Sequence, residues 1–401
     1  EPTAYNFDPI SSYFYNCPAE GDAWQTIDAE TTTDLDLNAV FEKIDRTTSK
    51  VGQQYLYARL RTLRGEDDAL DFDRRTGIFE QDEALTQRCT KHLTRLSSDD
   101  AYDFQRLIFD TPAKVRRIGL VYALTAVAIA SLLLAPFYPL LLLLFVAVYA
   151  ANVVIHYGNK INITSYAFVV RQLAAALKTA RYLASEQVPG SDEATQTIRQ
   201  VAEVEQRSRI VGTQGDGGND FAAIIWLVFE LVKIAFNIEV ILFHRFIGSI
   251  TTHRDAIHDL FRFIGETDAA ISVMRLRREV PTCRPAFVEG KYLEVVQVVH
   301  PLITNCVPNT LTLDGTGLLL TGSNMSGKTT FVRTVMLNAL LGETICTCFA
   351  EGFTAPYMRL YSSIRIADDV SEGTSYYLQE VLTVKRFLEA AEQPAPCLFV
   401  L

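Results

Sequence analysis

No Cys-x-x-Cys pair occurs in this sequence of 401 residues, and its seven cysteines are scattered. Cys346 and Cys348 lie close together, but no histidine stands beside them, so they do not suggest a metal site. An odd number of thiols with no secretory leader fits a reducing compartment and buried or free cysteines. Positive charge is also short: 37 Lys and Arg face 47 Asp and Glu, for a net charge of −10. A surface-wide nucleic-acid footprint would be basic, so this balance argues against one without touching a local footprint. The chain opens on Glu1 rather than Met and breaks off at Leu401 within an expected strand, which reads as a portion of something longer. Its length predicts two to three domains.

Residues 20–110 carry apolar side chains at helix spacing. Leu35, Leu37, Val40, Phe41 and Ile44 form one set, and Leu56, Leu60 and Leu63 another. Both predict a helical scaffold, with Thr33-Asp34 as a cap before the first set. Nothing catalytic stands out there.

Residues 118–155 differ in kind. Ile118–Ala135 is uncharged throughout, Pro136-Phe137-Tyr138-Pro139 interrupts it, and Leu140–Ile155 continues apolar. Each run approaches the roughly 20 apolar residues that cross a bilayer core. Two prolines at the midpoint break a single helix, so the pattern predicts two spans joined by a turn. Lys114, Arg116 and Arg117 flank the first run, and His156 and Lys160 follow the second. With basic residues at both ends, the positive-inside rule predicts a membrane hairpin whose ends both face the cytoplasm. A buried hairpin in a water-soluble core would keep a polar face, and these runs have none. Roughly 115 residues precede the first run, which excludes a signal peptide.

Residues 160–210 return to an amphipathic pattern, with Tyr166, Val169, Val170, Leu173 and Leu177 on one side. Val211–Asp220 is a glycine-rich break. Phe221–Ile247 is strongly apolar, but Glu230, Lys233, Glu239 and Arg245 interrupt it. A charge at mid-bilayer costs about 2.5 kcal/mol or more, so packed helices at the membrane surface or in the core are expected, with a second membrane hairpin as the alternative. Glu230 and Lys233 are spaced to pair. His244, His253 and His258 have no carboxylate or thiol completing a ligand set. Another helix runs to Pro281, and from about Arg284 the pattern turns to strands: Tyr292–Val299, Leu311–Leu313 and Gly317–Thr321.

The last of these leads into Gly322-Ser323-Asn324-Met325-Ser326-Gly327-Lys328-Thr329, a match to G-x-x-x-x-G-K-[ST]. Thr330–Leu341 follows as an expected helix that buries Phe331, Val335, Leu337 and Leu341. The two glycines let backbone N–H groups converge on phosphate oxygens, and the helix N-terminus adds a favourable dipole. Lys328 supplies a cation to the β- and γ-phosphates, while the Thr329 hydroxyl suits Mg²⁺. Thr330 closes the expected phosphate-binding set. No N-K-x-D follows to read guanine, and no L-S-G-G-Q-like transporter signature follows either.

These residues resemble the MutS family of DNA mismatch repair and related ATPases. The resemblance rests on the T-G-x-N-M-x-G-K-[ST] form of the loop at Thr321–Thr329 and on His300-Pro301 before it. It continues in Ala367-Asp368-Asp369, then Gly373-Thr374-Ser375 and Glu380. Upstream, Ile27-Asp28 and the run from Thr47 to Leu56 resemble the start of the family's helical core. The likeness is close over the ATPase portion and loose over the core. It implies ATP and Mg²⁺ as cofactors, a homodimer, and Ser375 reaching the γ-phosphate held by the partner subunit. It gives Asn324 a part in positioning the phosphates and makes Val307 the candidate to meet adenine. Cys397–Leu401 resembles the strand that would end in the Walker B acidic pair. Departures are Ser326 in place of the family's usual glycine, and Tyr376-Tyr377 in place of one aromatic. Phe287-Val288-Glu289 matches the family's mismatch-reading F-x-E only literally, beside the ATPase segment. The apolar hairpin instead resembles membrane-embedded MutS-like proteins.

The resulting expectation is an α/β P-loop ATPase domain of the ABC/MutS type, cut short, following a mainly α-helical core and lever domain with an inserted hydrophobic helical hairpin. The domains expected are residues 1–113 and 160–283 for the two parts of the helical core, 114–159 for the transmembrane hairpin, and 284–401 for the ATPase. The expected function is a dimeric ATPase at the cytoplasmic membrane that converts ATP binding into lever movement, its ATPase domain facing the cytoplasm. DNA as a partner is implied by the family resemblance alone. The alternatives are an ABC-type transporter, for which two spans are too few, and a non-catalytic nucleotide-binding membrane adaptor.

Overall fold

The computed structural model describes residues 5–17, 23–110, 115, 117–208, 220–323, 326–364 and 376–401. The chain divides into two compact units, Glu1–Thr94 with Gly265–Leu401, and Arg95–Ile264.

The first unit begins with α1 (Phe7–Asn16), capped by the Asn6 side chain, and a two-residue strand β1 (Gln25–Thr26). Asp28 caps α2 (Ala29–Asp34) by accepting a 2.7 Å hydrogen bond from the Thr31 N–H. Helix α3 (Leu37–Ile44) then starts from Asp36 in a left-handed conformation, φ 49°. The expected cap Thr33-Asp34 therefore lies inside α2 rather than ahead of α3. Asp34 is 1% exposed, and its carboxylate is engaged elsewhere in the unit. Helix α4 (Lys50–Leu60) is buried from Val51 onward, and Ser49 caps it by accepting from the Gly52 N–H at 2.9 Å. Leu63, expected in that helix, lies in β2 (Thr62–Leu63), which pairs antiparallel with β1. Helices α5 (Glu66–Gln81) and α6 (Glu83–Leu93) follow, the second capped by Asp82.

The second unit is helical among the described residues. A short α7 (Arg106–Phe109) precedes α8 (Ile118–Leu134), and a turn holding Pro136 and Pro139 leads to α9 (Leu141–Ser185). The expected hairpin is present, and α9 continues well past its apolar part to a total of 45 residues. Leu141–Ile161 is apolar and long enough to cross a membrane, with a mean hydropathy of 1.9 and 17% of its window buried. Leu133, Phe137, Leu140 and Leu143 are all at least two-thirds exposed. Helix α10 (Ser191–Ser208) packs on the amphipathic part of α9, where Val169, Leu173 and Leu177 are buried. Helices α11 (Asp220–Ala235) and α12 (Ile238–Thr252) meet at Asn237, φ 49°. Thr125 of α8 donates to the Phe236 carbonyl at 3.1 Å, and Asn152 of α9 donates to the Ala235 carbonyl at 2.7 Å. The hairpin is thus tied to the α11–α12 turn by hydrogen bonds. Helix α13 (Arg254–Glu279) carries the chain from the second unit to the first.

Beyond α13 lie β3 (Ala286–Phe287), β4 (Tyr292–Val298), β5 (Asn309–Asp314), α14 (Lys328–Ile345), β6 (Gly352–Ala355), β7 (Arg359–Ser362), α15 (Tyr376–Ala391) and β8 (Cys397–Val400). Four strands form one sheet in the order β3-β6-β4-β5, with β3 and β6 parallel and the other pairs antiparallel. Strands β7 and β8 pair in parallel, Arg359 opposite Cys397 and Ser362 opposite Val400. The expected strand Gly317–Thr321 is not one. It has no ladder partner, and Leu318 and Leu319 are exposed at 48% and 88%. A strand exists only through its neighbours' hydrogen bonds, and among the described residues no ladder includes this segment.

Candidate nucleotide-binding site

The site is built on the start of α14. Gly327 is its N-cap, with φ 87° and ψ 9°, a left-handed conformation that glycine adopts without the strain a side chain brings. The Lys328 ammonium folds back over the loop and donates to the carbonyls of Gly322 and Ser323, both at 2.7 Å. A cation held by loop carbonyls stands ready to exchange them for phosphate oxygens. Ser323, Ser326 and Thr329 are exposed, and Thr330 is half-buried in the first turn. Asn324 and Met325, both expected to contact phosphate, lie outside the described residues.

The far end of α14 explains how its start is held in place. Two guanidinium groups cover its last carbonyls: Arg59 donates to the Thr344 carbonyl at 2.7 Å, and Arg277 to the Cys346 carbonyl at 2.9 Å. Cations there satisfy orphan acceptors and complement the negative end of the helix dipole. The positive end is left to the loop. In mid-helix, the buried Asn338 accepts from the Phe349 N–H at 2.6 Å and donates to the Val299 carbonyl at 3.3 Å. One turn later, Glu343 accepts from the Met358 N–H at 3.0 Å, and burial pushes its carboxyl well above the ordinary range. Helix α14 is pinned on both sides by side chains within its own unit.

A cavity of about 720 Å³ opens beside the loop. Leu311, Leu313, Leu318 and Leu320 line it, with Lys328 and Thr329 at its polar end. The unpaired leucines ahead of the loop therefore face a space bounded by β5 and β8 rather than a closed sheet. His300, 8% exposed, shapes the neighbouring turn: its Nδ1 accepts from the Leu302 N–H at 3.3 Å, and its backbone N–H donates to the Cys306 sulfur at 3.3 Å. Burial lowers its imidazole pKa, in keeping with an acceptor nitrogen. The turn leaves Val307 75% exposed.

Ser375, Ala367-Asp368-Asp369, Gly373 and Thr374 lie outside the described residues, and Glu380 is exposed on α15. The structure does show what grips both flanks of that segment. Asp34 accepts from the Ser362 hydroxyl at 2.6 Å and the Ile364 N–H at 2.8 Å on the leading side. On the trailing side Arg386 pairs with Asp28 at 3.2 Å and Glu30 at 3.0 Å. Sequence reasoning missed Asp34, Glu30 and Arg386 in these roles, because the pairs are hundreds of residues apart. Only Asp28 carried a signal, through the resemblance.

A glycine-bounded loop whose lysine lies over its own carbonyls, at the head of a helix secured at its tail, has the form of a P-loop. Comparison with known proteins sharpens that class. MutS domain V matches residues 318–399. The DNA mismatch repair protein MutS of Petrotoga mobilis is 30% identical over 203 residues, covering 49% of this chain and 22% of that protein. Its counterpart in Staphylococcus aureus is 26% identical over 174 residues, covering 41% of this chain and 20% of that protein. Over these residues the chain is similar to MutS proteins, and it spans about a fifth of the length of these curated relatives.

Proposed function

We propose that this chain is the core and ATPase portion of a dimeric MutS-type ATPase, set in the cytoplasmic membrane by the α8–α9 hairpin with its ATPase face in the cytoplasm. The observation that carries the ATPase reading is the Lys328 ammonium over the loop carbonyls at the head of α14. In this reading Gly322, Ser323, Asn324, Met325, Ser326, Gly327, Lys328, Thr329 and Thr330 surround the phosphates of ATP. Lys328 leaves the Gly322 and Ser323 carbonyls for phosphate oxygens. The exposed Thr329 hydroxyl ligates Mg²⁺, which when bound neutralises charge on the phosphates. Ser375 of a second copy meets the γ-phosphate.

The membrane reading is supported by the exposed leucines of α8 and α9 and by the hydropathy of Leu141–Ile161. DNA enters through the relatives, whose name is DNA mismatch repair protein. The net charge of −10 weighs against broad contact with a duplex.

Replacing Lys328 tests the central assignment. Lys328→Ala is expected to lose at least tenfold in ATP affinity, about 1.4 kcal/mol, while keeping its helical circular dichroism. Equal ATP binding by a well-folded Lys328→Ala protein in a titration with labelled nucleotide overturns the site.

A further inference from the structure

Within the second unit, the apolar helices enclose a polar cluster that the nucleotide site does not explain. Among the described residues, His156 on α9, Glu230 on α11 and Glu239 in the first turn of α12 bring their ligand atoms within 4.8 Å of one another. His156 Nδ1 stands 3.7 Å from a Glu239 carboxylate oxygen. His156, which the sequence placed as a basic flank of the hairpin, is instead 0% exposed. Neither of its ring nitrogens has a hydrogen-bond partner. Its ring stands edge-on to Tyr157 at 5.3 Å. Asn152, one turn earlier on the same face, uses its amide N–H on the Ala235 carbonyl and leaves its oxygen unpartnered. Lys233 places its ammonium 2.5 Å from the Glu230 carboxylate.

Buried polar atoms without partners are costly. An imidazole with two such nitrogens, facing carboxylates from two other helices, has the donor set of a metal centre. We propose that His156, Glu230 and Glu239 bind one divalent transition-metal ion of the zinc class, which ties α9 to the α11–α12 hairpin.

The donor chemistry selects the class. Magnesium and calcium take oxygen ligands, whereas one imidazole with two carboxylates suits zinc and its first-row neighbours. Metal–ligand bonds of about 2.1 Å in a tetrahedron set ligand atoms about 3.4 Å apart. The three side chains reach that spacing by closing in little more than an ångström, within the range of side-chain rotation. The two carboxylates stand against the Lys233 ammonium, with Lys160 one turn further along α9, and a divalent cation would replace the ammonium on Glu230. Lys233 is the internal counter-ion until the metal arrives, and its flexible stem lets the ammonium withdraw from Glu230. Metal and Lys233 therefore compete for the same carboxylate.

The test uses the full chain in mild detergent, stripped with chelator and titrated with Zn²⁺, and with Co²⁺ as an optical probe. One equivalent of Zn²⁺ is expected to bind. His156→Gln and Glu239→Gln each weaken it by about 100-fold or more, since even outer-shell partners of a metal are worth 10–100-fold. Lys233→Met, which keeps all three ligands and removes the competitor, tightens binding. X-ray absorption of the unmodified zinc-loaded protein needs no variant to fold, and shows a single imidazole with oxygen neighbours and no sulfur. Absence of saturable binding overturns the proposal. So does unchanged affinity in well-folded His156→Gln and Glu239→Gln proteins, or a sulfur shell that assigns the metal to the cysteines.

Discussion

At the scale of single residues, the entry to α4 shows how a short motif is dictated from far away. The carboxylate of Asp268, on α13, accepts from the Ser49 N–H and hydroxyl at 2.6 Å each and from the Thr48 N–H at 3.0 Å. A Cβ built on Gly52 would stand 2.2 Å from that carboxylate, so glycine is required there by a close approach rather than by its own backbone. The sequence displayed the spacing from Thr48 to Gly52 but not its cause, which lies about 216 residues on. Burial pushes the Asp268 carboxyl up to about 6, outweighing the hydrogen bonds from Ser49 and Thr48. The unfolded chain releases this proton near 3.8. Between those values the folded protein keeps a proton that the unfolded one has lost, so this group's stabilisation is full below about pH 4 and falls as pH rises to about 6. At about 1.4 kcal/mol per pH unit, the loss is on the order of 3 kcal/mol. Urea unfolding midpoints across this window are expected to fall less steeply with pH in Asp268→Asn than in the parent protein. Identical slopes contradict the buried proton.

Elements differ in how much of themselves they write into the sequence. The α8–α9 hairpin was legible because hydropathy and proline act locally: two uncharged runs and two prolines define it without outside help. The length of α9 was less legible. Composition changes after Ile155, but nothing there breaks a helix, and the helix ends only where Gln187 turns left-handed at φ 57°. The phosphate loop was legible for the same local reason, as glycine, lysine and threonine carry their chemistry in fixed spacing. Its leading strand was misread because leucines alone cannot supply ladder partners. His156 was misread because position along the chain does not reveal which face of α9 turns inward. At this scale the hairpin makes its own prediction. A chain lacking residues 118–155 is expected to move from the membrane pellet to the supernatant on fractionation, while the intact chain requires detergent. Intact protein that stays in solution without detergent assigns the hairpin to a water-soluble core.

Across the whole molecule, the grouping of Glu1–Thr94 with Gly265–Leu401 had no local signature. It is made by contacts such as Arg59 with the Thr344 carbonyl and Gln25 with the Leu360 N–H and carbonyl, which join residues 285 and 335 positions apart. Asp34 holds Ser362 and Ile364, and Asp28 and Glu30 hold Arg386, so the helical start of the chain contacts described residues on either side of position 375. A dimer with composite sites follows if Ser375 serves the partner's loop. Lys328→Ala and Ser375→Ala proteins, each inactive alone as the complete protein, are then expected to recover ATPase activity when mixed, with up to one intact site in each heterodimer. Normal hydrolysis by Ser375→Ala alone assigns the serine to capping α15, a role worth about 1 kcal/mol.

Helix α9 also has a mechanical meaning. Its 45 residues contain no proline, and at 1.5 Å per residue they make a rod of about 68 Å. A bilayer core is about 30 Å thick. If Leu141–Ile161 spans the bilayer as proposed, about 36 Å of the same rod would stand clear of the lipid. A tilt of about 10° pivoting at one tip sweeps the other through about 12 Å, several times the reach of a hydrogen bond. In the proposed membrane reading such a rod would act as a lever, exchanging a small angle at one end for a long stroke at the other.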